Sequence, residues 1–514
     1  MRPSRRATIS VLLLACLTWS SAPASALEPT SGVTDLVKDL DQILSDARLT
    51  PAQAGVVVKS AASGEQLYGL DAGKVLTPGS NAKLLTSATA IDSLGLDFRF
   101  TTSVLSTGRV AGSTLAGDLY LKGTGDPTML AADYDALAAR VADAGIKTIA
   151  GKLVADDTWF DSVPLGTDWA WDDEPYYYSA QISALTASPD KDYDAGSVIV
   201  SVAPGSAAGK PAKVSTTPET DYLNIVNKAT TGTTTNVSIE RQHGTNTVLI
   251  TGTVAGGYDE WVTVNDPTGY AASLFRKALT NHGVRVMGST TRDATPQIAA
   301  TVASRQSMPL SELLIPFMKL SNNMHAEILI KSVGRKVSGA GTWSAGLAAA
   351  TSFAHANGMP SLRMRDGSGL SRGEGLTPGG ITDLLIALRS KPWFSTWYGS
   401  LPIAGEPDRM VGGTLRSRMA GTPAAGNVRG KTGSLTGISA LSGYVTSADN
   451  EPLVFSVLLN QYLSASPKDI EDKIAIRLAQ FSRTAPADVA NVQLRKATAD
   501  APEIECSWLK PAQC

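Results

Sequence analysis

Three cysteines in 514 residues are too few for a disulfide-stapled scaffold. Cys16 lies near the N-terminus, and Cys506 and Cys514 lie in the last nine residues. A bridge between the last two would close a small loop, where cross-linking gains least. Histidine is also scarce. His243, His282, His325 and His355 are the full set, and no pair has zinc-site spacing. No Gly-rich loop fits a phosphate cradle, so neither a metal nor a cofactor is expected. An excess of one charge is missing too. Lys and Arg total 45 against 47 Asp and Glu, with no long run of either sign, which argues against a nucleic-acid partner. No apolar run reaches the ~20 residues that a membrane-spanning helix needs.

What remains is an ordinary globular balance, 43% hydrophobic and 18% charged, long enough for two to four domains. The first 26 residues are set apart. Arg2, Arg5 and Arg6 precede an apolar stretch from Ile9 to Trp19, and Ala24-Ser25-Ala26 fits a small-residue cleavage site. This is the pattern of a secretory signal, and the mature chain is expected to start near Leu27. Leu13-Leu14-Ala15-Cys16 loosely resembles a lipidation site, but Leu14 fits it poorly.

Along the mature chain the texture changes twice. Thr34 to Leu49 reads as an amphipathic helix, Gly55 to Val58 as a strand, and Gln66 to Tyr68 as its hairpin partner. A helix starts around Ser80, with no Gly or Pro from Ala82 until Gly95. From residue 99 to 298 short alternating runs recur between Gly and Thr clusters, which predicts an inserted, mostly β region of one or two domains. From Pro309 helices and strands alternate again, closing with a helix from Ile470 to Phe481. The expected division is a signal at 1–26, a catalytic part at 27–98 and 299–483, the insert at 99–298, and a tail at 484–514.

Ser80-Asn81-Ala82-Lys83 places a hydroxyl and an amine three residues apart at the start of a helix, where i and i+3 share a face. A serine becomes a nucleophile when a base takes its proton, and a lysine can be that base. The spacing alone is cheap, because Ser188/Lys191 and Ser507/Lys510 share it. Neither of those opens a helix. Ser321-Asn322-Asn323 precedes another helix; it offers a hydroxyl and an amide, or simply an N-cap. Lys431-Thr432-Gly433-Ser434 ends a strand and brings a cation, a hydroxyl and a glycine that lets a ligand approach. Gly369-Leu370-Ser371-Arg372-Gly373 fits a nucleophile elbow, but every histidine precedes Ser371, the reverse of the order that fold requires.

In this order the three motifs resemble the signature of penicillin-binding proteins and serine β-lactamases. With about 240 residues between the first two, the chain resembles class C low-molecular-weight penicillin-binding proteins, D-alanyl-D-alanine carboxypeptidases of the S13 peptidase type. Asp366 to Arg372 also resembles a loop of that family. The resemblance covers nearly all of the mature chain. It implies an α/β (α+β) catalytic domain with an antiparallel sheet and helices on both faces. Ser80 would attack the carbonyl between two D-alanines and Lys83 would take its proton. Ser321 would relay the proton, while Asn323 would orient Lys83 and the substrate. Lys431, Thr432 and, from the far side, Arg372 would hold the substrate, and like charge on Lys431 would help keep Lys83 neutral. The N–H groups of Ser80 and Ser434 would form the oxyanion hole past Gly433. The implied partners are peptidoglycan peptides ending in D-Ala-D-Ala, and β-lactams as covalent inhibitors, met outside the cytoplasm. A β-lactamase, or an inactive cell-wall binding protein, stays open as an alternative. The stretch Asp172 to Tyr178, acidic and aromatic, reads either as an interface patch or as a contact for the cationic end of a stem peptide.

Overall fold

A computed structural model describes residues 31–484. The expected signal segment, Cys16, Cys506, Cys514 and the tail beyond Thr484 lie outside the described residues.

The central sheet has five strands, in the order Arg429–Leu435, Ile438–Thr446, Pro452–Asn460, Gln53–Ser60 and Gln66–Leu70. Every pairing is antiparallel. An early strand therefore lies beside a late one, with Val56 opposite Val457. Period-two geometry sorts the side chains. Leu453, Phe455, Val457 and Leu459 meet Leu36 and Leu40 of the helix Ser31–Leu44 and Ile470 and Ile474 of the helix Lys468–Ala479. Val454 and Leu458 point the other way, towards Leu84 and Leu85 of Ala82–Leu94 and Leu384 and Leu385 of Pro378–Leu388. Both faces are covered, so this strand reads as a continuous apolar run. Truncating a buried residue such as Phe455 to alanine would cost about 3–5 kcal/mol.

The first helix is shorter than its sequence pattern. Ser31–Leu44 ends early and a separate 3₁₀ turn covers Ala47–Leu49, because the Asp46 carboxylate accepts the Arg48 N–H and starts a new turn. The region from Thr101 to Gln306 holds four small sheets and the helices Ala131–Asp143 and Pro267–Asn281 around a core of its own. The chain leaves and returns on paired strands, Thr101–Ser106 against Ala300–Gln306. Ala300–Gln306 thus belongs with that region's sheet, although the sequence boundary at residue 299 put it in the catalytic part. Among the described residues no helix is long and apolar enough to cross a membrane.

Candidate active site

Ser80 stands in one 3₁₀ turn, Gly79–Asn81, that runs straight into the helix Ala82–Leu94. The helix forms because its residues are small or apolar, and it ends at Gly95, whose positive φ of 87 suits glycine. Residues 82–91 are buried throughout, so Lys83 is fully enclosed. Lys83 Nζ lies 2.8 Å from Ser80 Oγ, 2.7 Å from Asn323 Oδ1 and 2.9 Å from the Ser368 carbonyl. A desolvated amine needs such acceptors, and one of them is the candidate nucleophile.

The Ser-x-Asn segment is built differently from a plain N-cap. Asn322 is the cap of the helix Asn323–Ser338, its side chain accepting from the His325 N–H at 3.1 Å. Ser321 adopts φ +58, a conformation that costs a non-glycine residue about 1 kcal/mol. It is buried between two helices, and its Oγ lies 2.8 Å from Lys431 Nζ. Asn323 uses both ends of its amide: Oδ1 meets Lys83, and Nδ2 donates to the Tyr178 carbonyl at 2.8 Å.

Arg429–Leu435 is an edge strand, and its open side faces the nucleophile turn. Asn81 Nδ2 donates to the Lys431 carbonyl at 3.1 Å. Gly433 is required by proximity: a Cβ there would sit 2.6 Å from the Pro78 carbonyl oxygen and 3.0 Å from the Ser80 nitrogen. Thr432 Oγ1 donates to Thr414 Oγ1 at 2.8 Å. Ser434 is buried, and its hydroxyl has no partner among the described residues. Arg372 is exposed at the rim and donates to the Thr436 carbonyl at 3.2 Å. The structure therefore gathers Ser80, Lys83, Ser321, Asn323, Lys431, Thr432, Gly433 and Ser434 into one buried site and leaves Arg372 at its edge. Of the decoys, Ser188 is tied to the Pro127 carbonyl at 2.7 Å and Lys191 is exposed; Ser507/Lys510 falls outside the described residues.

Sequence reasoning missed what lies beneath. The loop that offers the Ser368 carbonyl to Lys83 is held by buried carboxylates. Asp366 accepts from the N–H groups of Gly369 at 2.7 Å and Ser371 at 2.6 Å, and from the Trp169 indole at 2.8 Å. Glu327 accepts from the Gly367 and Ser368 N–H groups, both at 2.8 Å, and from the Trp343 indole at 2.7 Å. Glu374 accepts from the Arg365 N–H at 2.6 Å. Burial pushes all three acids up, and Asp366 repels both Glu327 and Glu374. Gly369 has φ +80 and passes against the Gly79 carbonyl, where a Cβ has no room. Only the three acids in sequence could have signalled this, and an acid in a loop, like Asp366 or Glu374, or on a helix, like Glu327, reads as solvated.

Residues 36–481 match the D-Ala-D-Ala carboxypeptidase 3 (S13) family. The chain is 43% identical to a D-alanyl-D-alanine carboxypeptidase of Actinomadura sp. (strain R39), over 98% of this chain and 95% of that one. Its fold resembles the crystal structure of penicillin binding protein 4 from Haemophilus influenzae, with a TM-score of 0.74 and 24% identity, covering 86% of this chain and 98% of the other. A second structure of that protein, in complex with a β-lactam, superposes with a TM-score of 0.68 at 23% identity over the same shares.

Proposed function

The chain belongs to the D-Ala-D-Ala carboxypeptidase 3 (S13) family, and on that premise we propose how its residues divide the work. Ser80 Oγ attacks the carbonyl carbon between two D-alanines of a stem peptide. Its proton passes to Lys83 Nζ, and the carbonyl oxygen becomes an oxyanion facing the N–H groups of Ser80 and Ser434. Support for that pairing is the close packing of the two segments, with Gly433 against the Ser80 nitrogen. Preorganised donors of this kind are usually the largest contribution to acyl transfer. Ser321, whose Oγ lies 2.8 Å from Lys431 Nζ, relays the proton from Lys83 to the departing D-alanine nitrogen as the C–N bond breaks, receiving one as it gives one. Lys431 and Thr432 attract the terminal carboxylate, and Arg372 closes on the substrate from the rim. Water then attacks the acyl carbon, its proton passes by way of Lys83 to Ser80 Oγ as the ester C–O bond breaks, and Ser80 is freed.

The observation that carries this reading is the 2.8 Å contact between Lys83 Nζ and Ser80 Oγ inside a buried site that also holds Asn323. A β-lactam carries an acyl carbon and a carboxylate in similar positions, so the same serine would be acylated by it. Residues 1–26 act in this proposal as an export signal that brings the enzyme to the peptidoglycan. The catalytic unit is 27–98 with the later part of the chain, the mostly β region being inserted into it.

Labelling with a fluorescent penicillin, followed by product analysis on a defined pentapeptide, tests the scheme. The expected result is a lasting adduct on Ser80 and release of a single D-alanine. Absence of any label on Ser80 would sink it, and rapid turnover of the drug would favour a β-lactamase. Release of cross-linked dimers as well would add an endopeptidase activity at the same serine.

A further inference from the structure

A second cleft of about 300 Å³ opens next to the site just described. Its walls come from the segment around Asp172–Tyr176 and from the strands Asn236–Arg241 and Tyr258–Thr263. Tyr176, Trp261 and His243 line it together with Asp172, Glu240 and Glu260. Trp171 stacks on His243, with ring centroids 4.4 Å apart and planes 12° from parallel. Trp171 is 69% exposed and Tyr176 50%. An exposed ring in the lining, Tyr176, and a second at the rim, Trp171 on His243, are the usual mark of a binding surface.

Three acids, Asp172, Glu240 and Glu260, line the cleft, while the cation Arg241 and His243, which line it too, are turned to Glu174. Arg241 is buried and spends its donors inward, on Glu174, on Thr263 Oγ1 at 2.9 Å and on the Thr245 carbonyl at 2.6 Å. Of the three acids at the opening, Glu260 accepts from the Tyr258 hydroxyl at 3.1 Å. Burial, and then the negative charge around it, push the Tyr176 hydroxyl up. Carboxylates accept from O–H and N–H groups and repel phosphates and other acids. The cavity is far roomier than one ammonium group needs and suits a small ring. Flat aromatic faces beside clustered acceptors match a neutral sugar, which has a C–H face and a rim of O–H and N–H donors.

The cleft is coupled in space to catalysis. Tyr176 stacks on Tyr178, with centroids 5.6 Å apart and planes 2° from parallel, and the Tyr178 carbonyl accepts from Asn323 Nδ2 at 2.8 Å. We propose that this cleft is a saccharide subsite, taking a neutral N-acetylated pyranose of the glycan to which the scissile stem peptide is attached. The proposal rests on the peptidoglycan-peptidase reading above, and its test separates the two.

The full-length enzyme is first acylated with a fluorescent penicillin and then titrated calorimetrically with tri-N-acetylchitotriose. Saturable binding is expected, weakened at least about tenfold in Trp171→Ala and several-fold in Glu240→Gln. In both variants penicillin labelling should proceed at the wild-type rate, which reports an intact fold and catalytic site. The preference for a disaccharide-linked pentapeptide over the free pentapeptide, measured as kcat/KM, should also shrink towards unity. A wild-type enzyme that takes the label but ignores the trisaccharide overturns the saccharide subsite and leaves the catalytic reading standing. Equal trisaccharide binding in wild type and both variants overturns it as well. So does saturable binding of lysinamide in place of the sugar. Failure of the wild type to label strikes the catalytic reading instead.

Discussion

Lys83 Nζ lies 2.7 Å from Oδ1 of Asn323, a residue 240 positions further along the chain. That amide is the link between the nucleophile helix and the second motif, and it also fixes Tyr178 at the site's mouth. Asn323→Ala is expected to lower the rate of acylation by penicillin about 10²–10³-fold while the protein still folds, the size of loss seen when one preorganised polar group is removed from an acyl-transfer site. A stopped-flow acylation rate within threefold of wild type would remove Asn323 from the machinery.

Gly433→Ala probes the contact between the edge strand and the nucleophile turn. The new Cβ would press on backbone atoms of Pro78 and Ser80, which cannot swing aside as a side chain would. Acylation should slow by about 10–100-fold, with a stability loss of about 1–3 kcal/mol. Melting temperature and labelling rate, measured together, decide it; two wild-type values would mean the turn has slack.

Asp366→Ala tests the floor of the site. It strands the N–H groups of Gly369 and Ser371 and the Trp169 indole in a buried loop. A loss of about 2–4 kcal/mol is expected, since each buried donor left unpaired carries a desolvation penalty. Because Ser368 offers its carbonyl to Lys83 from this loop, acylation should fall too. A variant that melts lower but acylates at the normal rate would show that the loop supports the fold alone.

His325 gives the protein an acid limit. It is fully buried on the helix that Asn323 begins, with Nε2 2.9 Å from the Tyr193 carbonyl and Nδ1 unpartnered among the described residues. Burial pulls its pKa down from 6.5 to about 4. The unfolded chain therefore gains a proton near pH 6.5 that the folded chain refuses until about pH 4. The stabilisation is whole above pH 6.5 and drains away as pH falls towards 4, by on the order of 3 kcal/mol. Thermal unfolding between pH 4 and 7 measures the slope, and His325→Gln should flatten it. An unchanged slope in that variant would assign the acid limit elsewhere.

The sequence disclosed the site better through its order than through any single motif. Ser80/Lys83 and the Lys-Thr-Gly segment were legible because helix periodicity and strand ends place them. The role of Asn322 as the cap, and the left-handed turn at Ser321, were not, because Ser, Asn and Asn cap helices almost equally well. The helix Pro378–Leu388 carries a good start signal in Thr377-Pro378: Thr377 Oγ1 accepts the Gly380 N–H at 3.1 Å and Pro378 sits at the first position. The structural work of Asp366, and Glu327, Glu374 and Thr414 altogether, stayed hidden for a different reason. Their partners are loop N–H groups, indoles and a hydroxyl that only the folded chain brings to them, and no periodicity reports those.

The pairing of Gln53–Ser60 with Pro452–Asn460 has a consequence for the protein's birth. While the chain is being synthesised, that early strand keeps a raw edge, because its neighbour is made roughly 400 residues later. Such distant pairing is slow to find. Ser80 leaves the ribosome early and then waits, with its helix but without Asn323 or Lys431. A chain that stops between residues 435 and 452 would carry Ser80, Lys83 and Lys431 and still have no closed sheet to hold them together. The hydrolase thus comes with a timer, silent until almost the last strand has been delivered.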